Sequence, residues 1–244
     1  MRESILSFAR YEKKYLLSAA QHAGLWAELA PRLRPDEYFA STVCSLYYDD
    51  PDFSLIRASI EAPVYKEKLR LRSYGQVAAG GEVFVELKKK YRQVVYKRRL
   101  ALPERQAMSW LRGGPHLALS GQIAAEIDYF LAFYGELRPT VWLSYEREAS
   151  IARDGSDLRL TFDNDIRCRR QELSLTAPVW GRPLLEADVL LLEVKCGGGL
   201  PLWLTRILAA EGLYKTSFSK YGTAYRTLIL PEWKELNADA RLVV

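Results

Sequence analysis

The chain has 244 residues, 49% of them hydrophobic and 12% aromatic, which is enough for a packed core and excludes wholesale disorder. Its 35 Lys and Arg are mixed with 30 Asp and Glu, for a formal net charge of +5. That balance excludes a protein that coats nucleic acid through bulk charge, so any selectivity for polyanions has to come from the arrangement of the cations.

Arg10 to Leu17 reads as an opening strand. Ser18 is placed to cap a helix over residues 19–30, with Leu25, Trp26 and Leu29 on its apolar side and Pro31 as its stop. Tyr38 to Tyr48 is rich in β-branched and aromatic residues and ends at the turn signal Asp49-Asp50-Pro51. Lys66–Tyr74 and Glu82–Tyr91, separated by Gly75, Gly80 and Gly81, predict a hairpin, and Val94–Leu100 the next strand, ending before Pro103. Between 103 and 135 the period turns helical: Ser120 precedes Ile123, Ile127, Phe130, Leu131 and Tyr134, and Gly135 closes the segment. Strands resume at Thr140–Ile151, Asp157–Asp163 and Leu190–Cys196. Asp163-Asn164-Asp165 is read as a turn, because the Gly and terminal Glu of a calcium loop do not follow it. Pro201 opens a helix that closes at Gly212, and Ser217–Leu228 predicts a last one with Ser217 or Ser219 near its start. The sum is about eight strands and four or five helices without βαβ alternation, an α+β pattern.

Several of these strands carry charge on one face. Residues two apart on a strand share a face, so Lys68, Arg70 and Arg72 point one way while Leu69 and Leu71 point the other. Glu86, Lys88 and Lys90 share a face, as do Glu193 and Lys195, and Arg159, Thr161 and Asp163. Glu12-Lys13-Lys14 and Tyr145-Glu146-Arg147 add two shorter cases. Such faces are either solvated or converge on the polar interior of a closed sheet. Convergence has a cost: two like charges about 5 Å apart at an effective dielectric near 20 repel by about 3 kcal/mol. Six or more in one cavity require compensating carboxylates or a bound anion. The apolar run around Glu193-Val194-Lys195 points to burial of that pair.

Other chemistries have little to work with. Cys44, Cys168 and Cys196 show no CxxC spacing and read as reduced, packed thiols, and His22 and His116 are the only histidines. No apolar run reaches the roughly 18 residues of a membrane helix, and Met1-Arg2-Glu3 opens no signal peptide, so a cytoplasmic protein is expected.

Seven segments in order resemble the VTC (vacuolar transporter chaperone) polyphosphate polymerase domain of the CYTH-like triphosphate tunnel metalloenzymes. They are Arg10-Tyr11-Glu12-Lys13-Lys14-Tyr15, Lys68-Leu69-Arg70-Leu71-Arg72-Ser73-Tyr74-Gly75, Val85-Glu86-Leu87-Lys88, Ser144-Tyr145-Glu146-Arg147, Leu158-Arg159-Leu160-Thr161-Phe162-Asp163, Leu192-Glu193-Val194-Lys195 and Ser217-Phe218-Ser219-Lys220-Tyr221. The resemblance implies a single domain over residues 1–244. Its fold would be an eight-stranded antiparallel β-barrel, the triphosphate tunnel, with flanking helices and a plug formed by residues 201–220 at the C-terminal end. On that basis Lys14, Arg70, Arg72, Lys88, Arg147, Arg159, Lys195 and Lys220 would act on phosphate. Tyr145 and Ser219 would donate hydrogen bonds, with Lys90 and Lys215 as further basic contacts. Glu193 would be the ligand of a Mn²⁺ or Mg²⁺ ion. The implied reaction transfers the γ-phosphoryl group of ATP to inorganic polyphosphate, with room for a membrane-protein partner that carries the product, and no role for nucleic acid. The hydrolytic branch carries an ExExK pattern whose first carboxylate is replaced here by Arg10, and Ser217 stands where that family often has a basic residue. A tunnel triphosphatase and a non-catalytic polyphosphate-binding module are the alternatives.

Overall fold

The structure is a computed structural model that describes residues 6–8, 11–61, 63–92, 94–114 and 121–240. Met1-Arg2-Glu3, Arg10, His116 and Ser120 lie outside these residues, and with them the expected strand start at Arg10 and helix cap at Ser120.

Among the described residues, eleven strands make one sheet with every pair antiparallel. They are β1 (Leu6–Phe8), β2 (Tyr11–Ser18), β3 (Leu33–Asp49), β4 (Tyr65–Tyr74), β5 (Glu82–Tyr91), β6 (Val94–Pro103), β7 (Arg138–Ala152), β8 (Arg159–Arg169), β9 (Arg182–Pro183), β10 (Val189–Cys196) and β11 (Lys215–Thr216). The helices are α1 (Ala19–Leu29), α2 (Ser54–Ile60), α3 (Glu104–Leu111), α4 (Gln122–Tyr134), α5 (Leu202–Ala210), α6 (Lys220–Ala224) and α7 (Leu230–Ala240). The sheet runs β1-β6-β5-β4-β3-β7-β8-β10-β2-β11, with β9 on β8. The eight expected strands are its eight long ones, and β1, β9 and β11 are short additions.

The expected barrel closure takes a different form. The hydrogen-bonded path has two ends among the described residues, and side chains bridge the seam, as where Lys88 of β5 reaches Glu12 of β2 at 3.9 Å.

Strand alternation sorts the residues. On β4 and β5 the face carrying Leu69, Leu71, Val85 and Leu87 is buried under α3 and α4, while the other face turns to the lumen. On the opposite wall Leu160, Leu192 and Val194 pack under α1 and α5 with Leu25, Leu29, Leu204 and Leu208. Each such side chain stabilises by about 1.5–3 kcal/mol when removed from water, which offsets the repulsion of charges gathered inside. Two further apolar clusters lie on the inner face: Val141, Leu143 and Cys168 pack with Tyr47 against Tyr221, Tyr225 and Ile229, and Ile166 and Leu191 pack with Val43 and Tyr145, so the polar cavity takes up only part of the enclosed space. The three cysteines are free and buried.

Local chemistry sets several boundaries. Ser18 accepts from Gln21 N at 3.2 Å and the Gln21 side chain returns a bond to Ser18 N at 3.0 Å, a complete capping box for α1. Asp49, buried at the end of β3, accepts from Leu55 N at 2.9 Å, Ile56 N at 3.0 Å and the Tyr221 hydroxyl at 2.8 Å. One carboxylate thus fixes α2 and α6 to the same point, and its burial pushes its pKa up to about 6.

Two expectations need correction. Asp163-Asn164-Asp165 is no turn: β8 runs on to Arg169, absorbing the segment through a bulge and a left-handed Asp165 (φ 45°). The plug is also shorter than residues 201–220. Leu204 and Leu208 of α5 pack in the outer core, and Lys215 and Thr216 join the sheet beside β2. Of the two expected starts of the last helix the structure takes the second, with Ser219 as the cap accepting from Gly222 N at 3.2 Å and Lys220 as the first helical residue. Ser219, Lys220 and Tyr221 line the cavity, and Ala224, Tyr225 and Ile229 pack beyond them against the inner-face residues Tyr47, Val141 and Leu143. No helix among the described residues is long and apolar enough to cross a membrane.

Candidate active site

The inward faces of the strands enclose a cavity of about 490 Å³. Cross-strand register stacks its charged rungs. Arg70 of β4 faces Glu86 of β5, which faces Arg99 of β6; one step along, Lys68, Lys88 and Lys97 stand abreast. On the far wall Glu193 of β10 pairs with Lys14 of β2, and Lys195 with both Glu12 and Arg159. Arg72, Arg147 and Lys220 complete a lining of eleven cations against three carboxylates.

Two of those carboxylates act as hubs. Glu86, 1% exposed, receives Arg70 Nε at 2.8 Å and Nη2 at 2.7 Å, Arg99 Nη2 at 2.7 Å and Lys97 Nζ at 2.6 Å. Burial works against its ionisation, yet Arg72, Arg70, Lys97 and Arg99 outweigh it and hold the carboxyl well below the usual range. Glu193 stands among Lys195 (3.3 Å), Lys14 (3.4 Å), Arg147 (3.4 Å) and Lys220 (3.5 Å), and these cations likewise overcome its burial. Behind it, buried Asp163 accepts from Arg147 Nε at 2.6 Å and Nη2 at 2.7 Å and from Lys220 Nζ at 2.5 Å. The β8 bulge sets the register that brings Arg147 opposite Asp163.

With Asp36 on Arg159 at 2.7 Å, five carboxylates stand against eleven cations and cannot satisfy them all. Burial, and then neighbouring Lys88, push the Lys68 amine down to about 7. Burial also brings Lys97 down to about 7 despite Glu86. Arg72 Nε and Arg159 Nε are buried without a hydrogen-bond partner. The Tyr145 hydroxyl accepts from Arg72 Nη2 at 3.2 Å; burial raises its pKa, but Arg147, Arg72 and Lys220 pull it below its usual value. These are unmet donors and surplus charge around one cavity, and an oligophosphate offers the acceptor oxygens that fit them.

The structure brings Lys14, Arg70, Arg72, Lys88, Tyr145, Arg147, Arg159, Glu193, Lys195, Ser219 and Lys220 into this one lining. Lys90 and Lys215 stand elsewhere. Lys90 pairs with Lys66 one rung beyond Lys68 and Lys88, outside the lining. Lys215 lies opposite Tyr15, whose ring belongs to the outer core, so it shares the outward face. Sequence reasoning assigned no role to Lys97 and Arg99, although their spacing of two within residues 94–100 carried the same signal as Arg70 and Arg72. It also gave no role to Tyr47, whose hydroxyl accepts from Arg70 Nη1 at 2.7 Å.

Among the described residues, no three His, Cys, Asp or Glu side chains form a metal cage. Glu12 and Glu193 do share a neighbourhood, lying 3.3 Å and 3.4 Å from the same Lys14 Nζ. Two carboxylates and no dedicated cage suit a Mg²⁺- or Mn²⁺-type ion that takes its remaining ligands from phosphate and water.

Comparisons with known proteins agree with this geometry. No curated protein matches the chain. Among solved structures, a provisionally assigned adenylate cyclase of Bacillus halodurans superposes with a TM-score of 0.54 at 16% identity, covering 91% of this chain and 100% of its own. A provisionally assigned adenylyl cyclase of Hippeastrum, described as having a dominant triphosphatase activity, gives 0.52 at 17% identity, covering 88% and 94%. At these identities the likeness shows a shared fold. The model of the VTC domain matches residues 9–229, and the chain therefore belongs to the VTC domain family.

Proposed function

We propose that the protein is a metal-dependent polyphosphate polymerase, transferring the γ-phosphoryl group of ATP to the end of a growing polyphosphate chain inside the cavity. A terminal phosphate oxygen of the chain attacks the γ-phosphorus, the bond to the β-phosphate oxygen breaks, and ADP leaves. Positioning and charge neutralisation supply the catalysis of such a step. Arg70, Arg72, Arg147 and Arg159 offer planar forks to the phosphates, and Lys14, Lys88, Lys195 and Lys220 act as movable point charges. Tyr145 and Ser219 add hydroxyl donors. Glu193, with Glu12 beside it, would hold the divalent ion against the phosphates. When bound, such an ion polarises the phosphoryl oxygens as a Lewis acid.

The observation that favours polymerisation over hydrolysis is the crowding of cations on the lumen carboxylates: Glu193 has four within 3.5 Å, and Glu12 lies 3.3 Å from Lys14 and 3.9 Å from Lys88. Water attacking phosphorus gains from a general base with a pKa near the working pH. Glu12 is brought down to about 2, where Lys88, Lys195 and Lys14 overcome both its burial and its neighbour Glu193, and Glu193 is itself held far below neutrality. Both are weak bases. A chain-terminal phosphate is already an anionic nucleophile and needs no base. The lysines depressed to about 7 regain their protons once phosphate is bound, so they do not fill the role either.

Incubation with ATP and Mn²⁺, resolved by gel electrophoresis and orthophosphate release, tests this reading. Long polymer is expected; orthophosphate without polymer would assign the tunnel to hydrolysis, and binding without turnover to a non-catalytic module. In the same assay Glu193→Gln should abolish metal-dependent turnover. It should also lower the melting temperature of the ligand-free protein, because four cations lose their common counter-charge.

Arg70 and Arg72 look alike in sequence, but their surroundings differ. Arg70 makes a forked pair with Glu86 and a bond to Tyr47, so Arg70→Ala should destabilise the free protein by about 1–3 kcal/mol. Arg72 is held more loosely, with Nε 3.7 Å from Glu86 and one bond to Tyr145, so Arg72→Ala should cost less stability than Arg70→Ala while weakening nucleotide binding. Thermal melts of the two variants would expose the error if Arg72→Ala proved the more damaging.

The depressed lysines give a pH signature. At pH 8 Lys68 and Lys97, with pKa values near 7, are largely neutral in the free lumen. An oligophosphate favours their charged forms, so binding should take up protons at pH 8 and weaken as pH rises through 7. Calorimetry in two buffers of different ionisation heat measures the uptake, and a binding reaction that takes up none would contradict the lysine assignment.

A further inference from the structure

At one end of the lumen β4 stops at Tyr74, opposite Val43, while β3 runs on past it to Leu33. Two tyrosines line the cavity here, Tyr74 at 50% exposure and Tyr38 at 68%. The far end is occupied by the 218–221 segment, where Lys14 Nζ donates to Phe218 O at 3.1 Å and Lys68 Nζ to Ser219 Oγ at 3.3 Å.

A phosphate chain accounts for the cations but not for these rings. An aromatic face is electron-rich and offers an anion nothing. Exposed tyrosines elsewhere, such as Tyr129 and Tyr214, do not line the cavity. Tyr74 is also held in place rather than free. Arg99 Nη2 donates to its hydroxyl at 3.0 Å, and Phe84 meets its ring edge-on with centroids 5.9 Å apart. Ser41 and Val43 of β3, both uncharged, line the wall at the same end. The cations run the length of the lining, with Arg99 on Tyr74 and Arg147 opposite Ser41, and half-exposed aromatic rings are added only at this end. A nucleoside triphosphate likewise carries its aromatic base at one end only.

We propose that Tyr38 and Tyr74 form a stacking seat for the nucleobase of the phosphoryl donor, so that the protein prefers nucleoside triphosphates to bare tripolyphosphate. The proposal rests on the reading of the cavity as a site for phosphoryl transfer from ATP. Stacking uses the π face that every base has, so the seat accepts nucleoside triphosphates as a class, with little choice among bases. It places the donor with its base at the Tyr74 end and its phosphates toward Glu193 and Lys220.

Competition binding of ATP, GTP and tripolyphosphate to the full chain tests the seat, with Tyr74→Ala, Tyr38→Ala and Tyr74→Phe as variants. ATP and GTP should bind the wild type similarly and more tightly than tripolyphosphate. Tyr74→Ala should weaken both nucleotides by about 5- to 100-fold and leave tripolyphosphate within about twofold. Tyr38→Ala should act in the same direction. Tyr74→Phe, which loses the bond to Arg99 but keeps the ring, should preserve the preference for nucleotides. Equal losses for all three ligands, or a wild type that binds tripolyphosphate as tightly as ATP, would overturn the seat while leaving the phosphate site standing. A wild type that binds none of the three would overturn the polymerase reading and the seat together.

Discussion

Eleven positive side chains around one cavity repel one another, and that repulsion sets the terms for the rest of the structure. At an effective dielectric near 20, each close pair costs about 3–4 kcal/mol, and a domain's whole stability is about 5–15 kcal/mol. The fold meets this constraint twice. Inside, Glu86 and Glu193 each collect four cations, and Asp163 ties Arg147 and Lys220 from behind. Outside, the apolar faces of the same strands are buried under α3, α4, α1 and α5. Alternation along the strand makes both possible from one sequence pattern, because inward Lys68, Arg70, Arg72, Lys88, Arg99, Arg159 and Lys195 each have an outward Leu or Val as a chain neighbour.

The compensation is partial, and the proposed function rests on the remainder. Arg72 and Arg159 keep donors without partners, and Lys68 and Lys97 sit with depressed proton affinity. A bound oligophosphate satisfies these groups together, so one guest relieves strain that the protein alone retains. On the proposed reading, the same surplus would favour an acceptor that is already anionic over water, and the donor's base would be left to Tyr38 and Tyr74 at the open end of the lining.

Much of this is legible in the sequence because a period of two is a local signal. Lys68-Leu69-Arg70-Leu71-Arg72 and Glu193-Val194-Lys195 declare their two faces without knowledge of any partner strand, and the structure turns those faces inward. What the pattern could not decide was non-local. Whether Lys90 and Lys215 reach the cavity depends on how far the lumen extends and which face β11 presents beside Tyr15. The distinction between Arg70 and Arg72 depends on the hydroxyl of Tyr47 and the position of Glu86, both on neighbouring strands. Asp163-Asn164-Asp165 has turn composition, yet the flanking strand pairs extend through it and a bulge absorbs the strain. The plug over residues 201–220 is an implication of the resemblance that the apolar spacing of α5 does not test, since that spacing suits a lumen or an outer face alike; its contact with Leu25 and Leu29 of α1 decides for the outer face.

The central claim is that these cations are gathered to hold an oligophosphate. The most direct measurement is the melting temperature of the protein as tripolyphosphate is added at constant ionic strength, with orthophosphate and sulfate as controls. Tripolyphosphate should raise it steeply, by the equivalent of about 2.7 kcal/mol at a hundred times its dissociation constant, while the shorter anions have a much smaller effect. Equal shifts for all three anions, or none for tripolyphosphate, would mean that the cavity's charge serves something else.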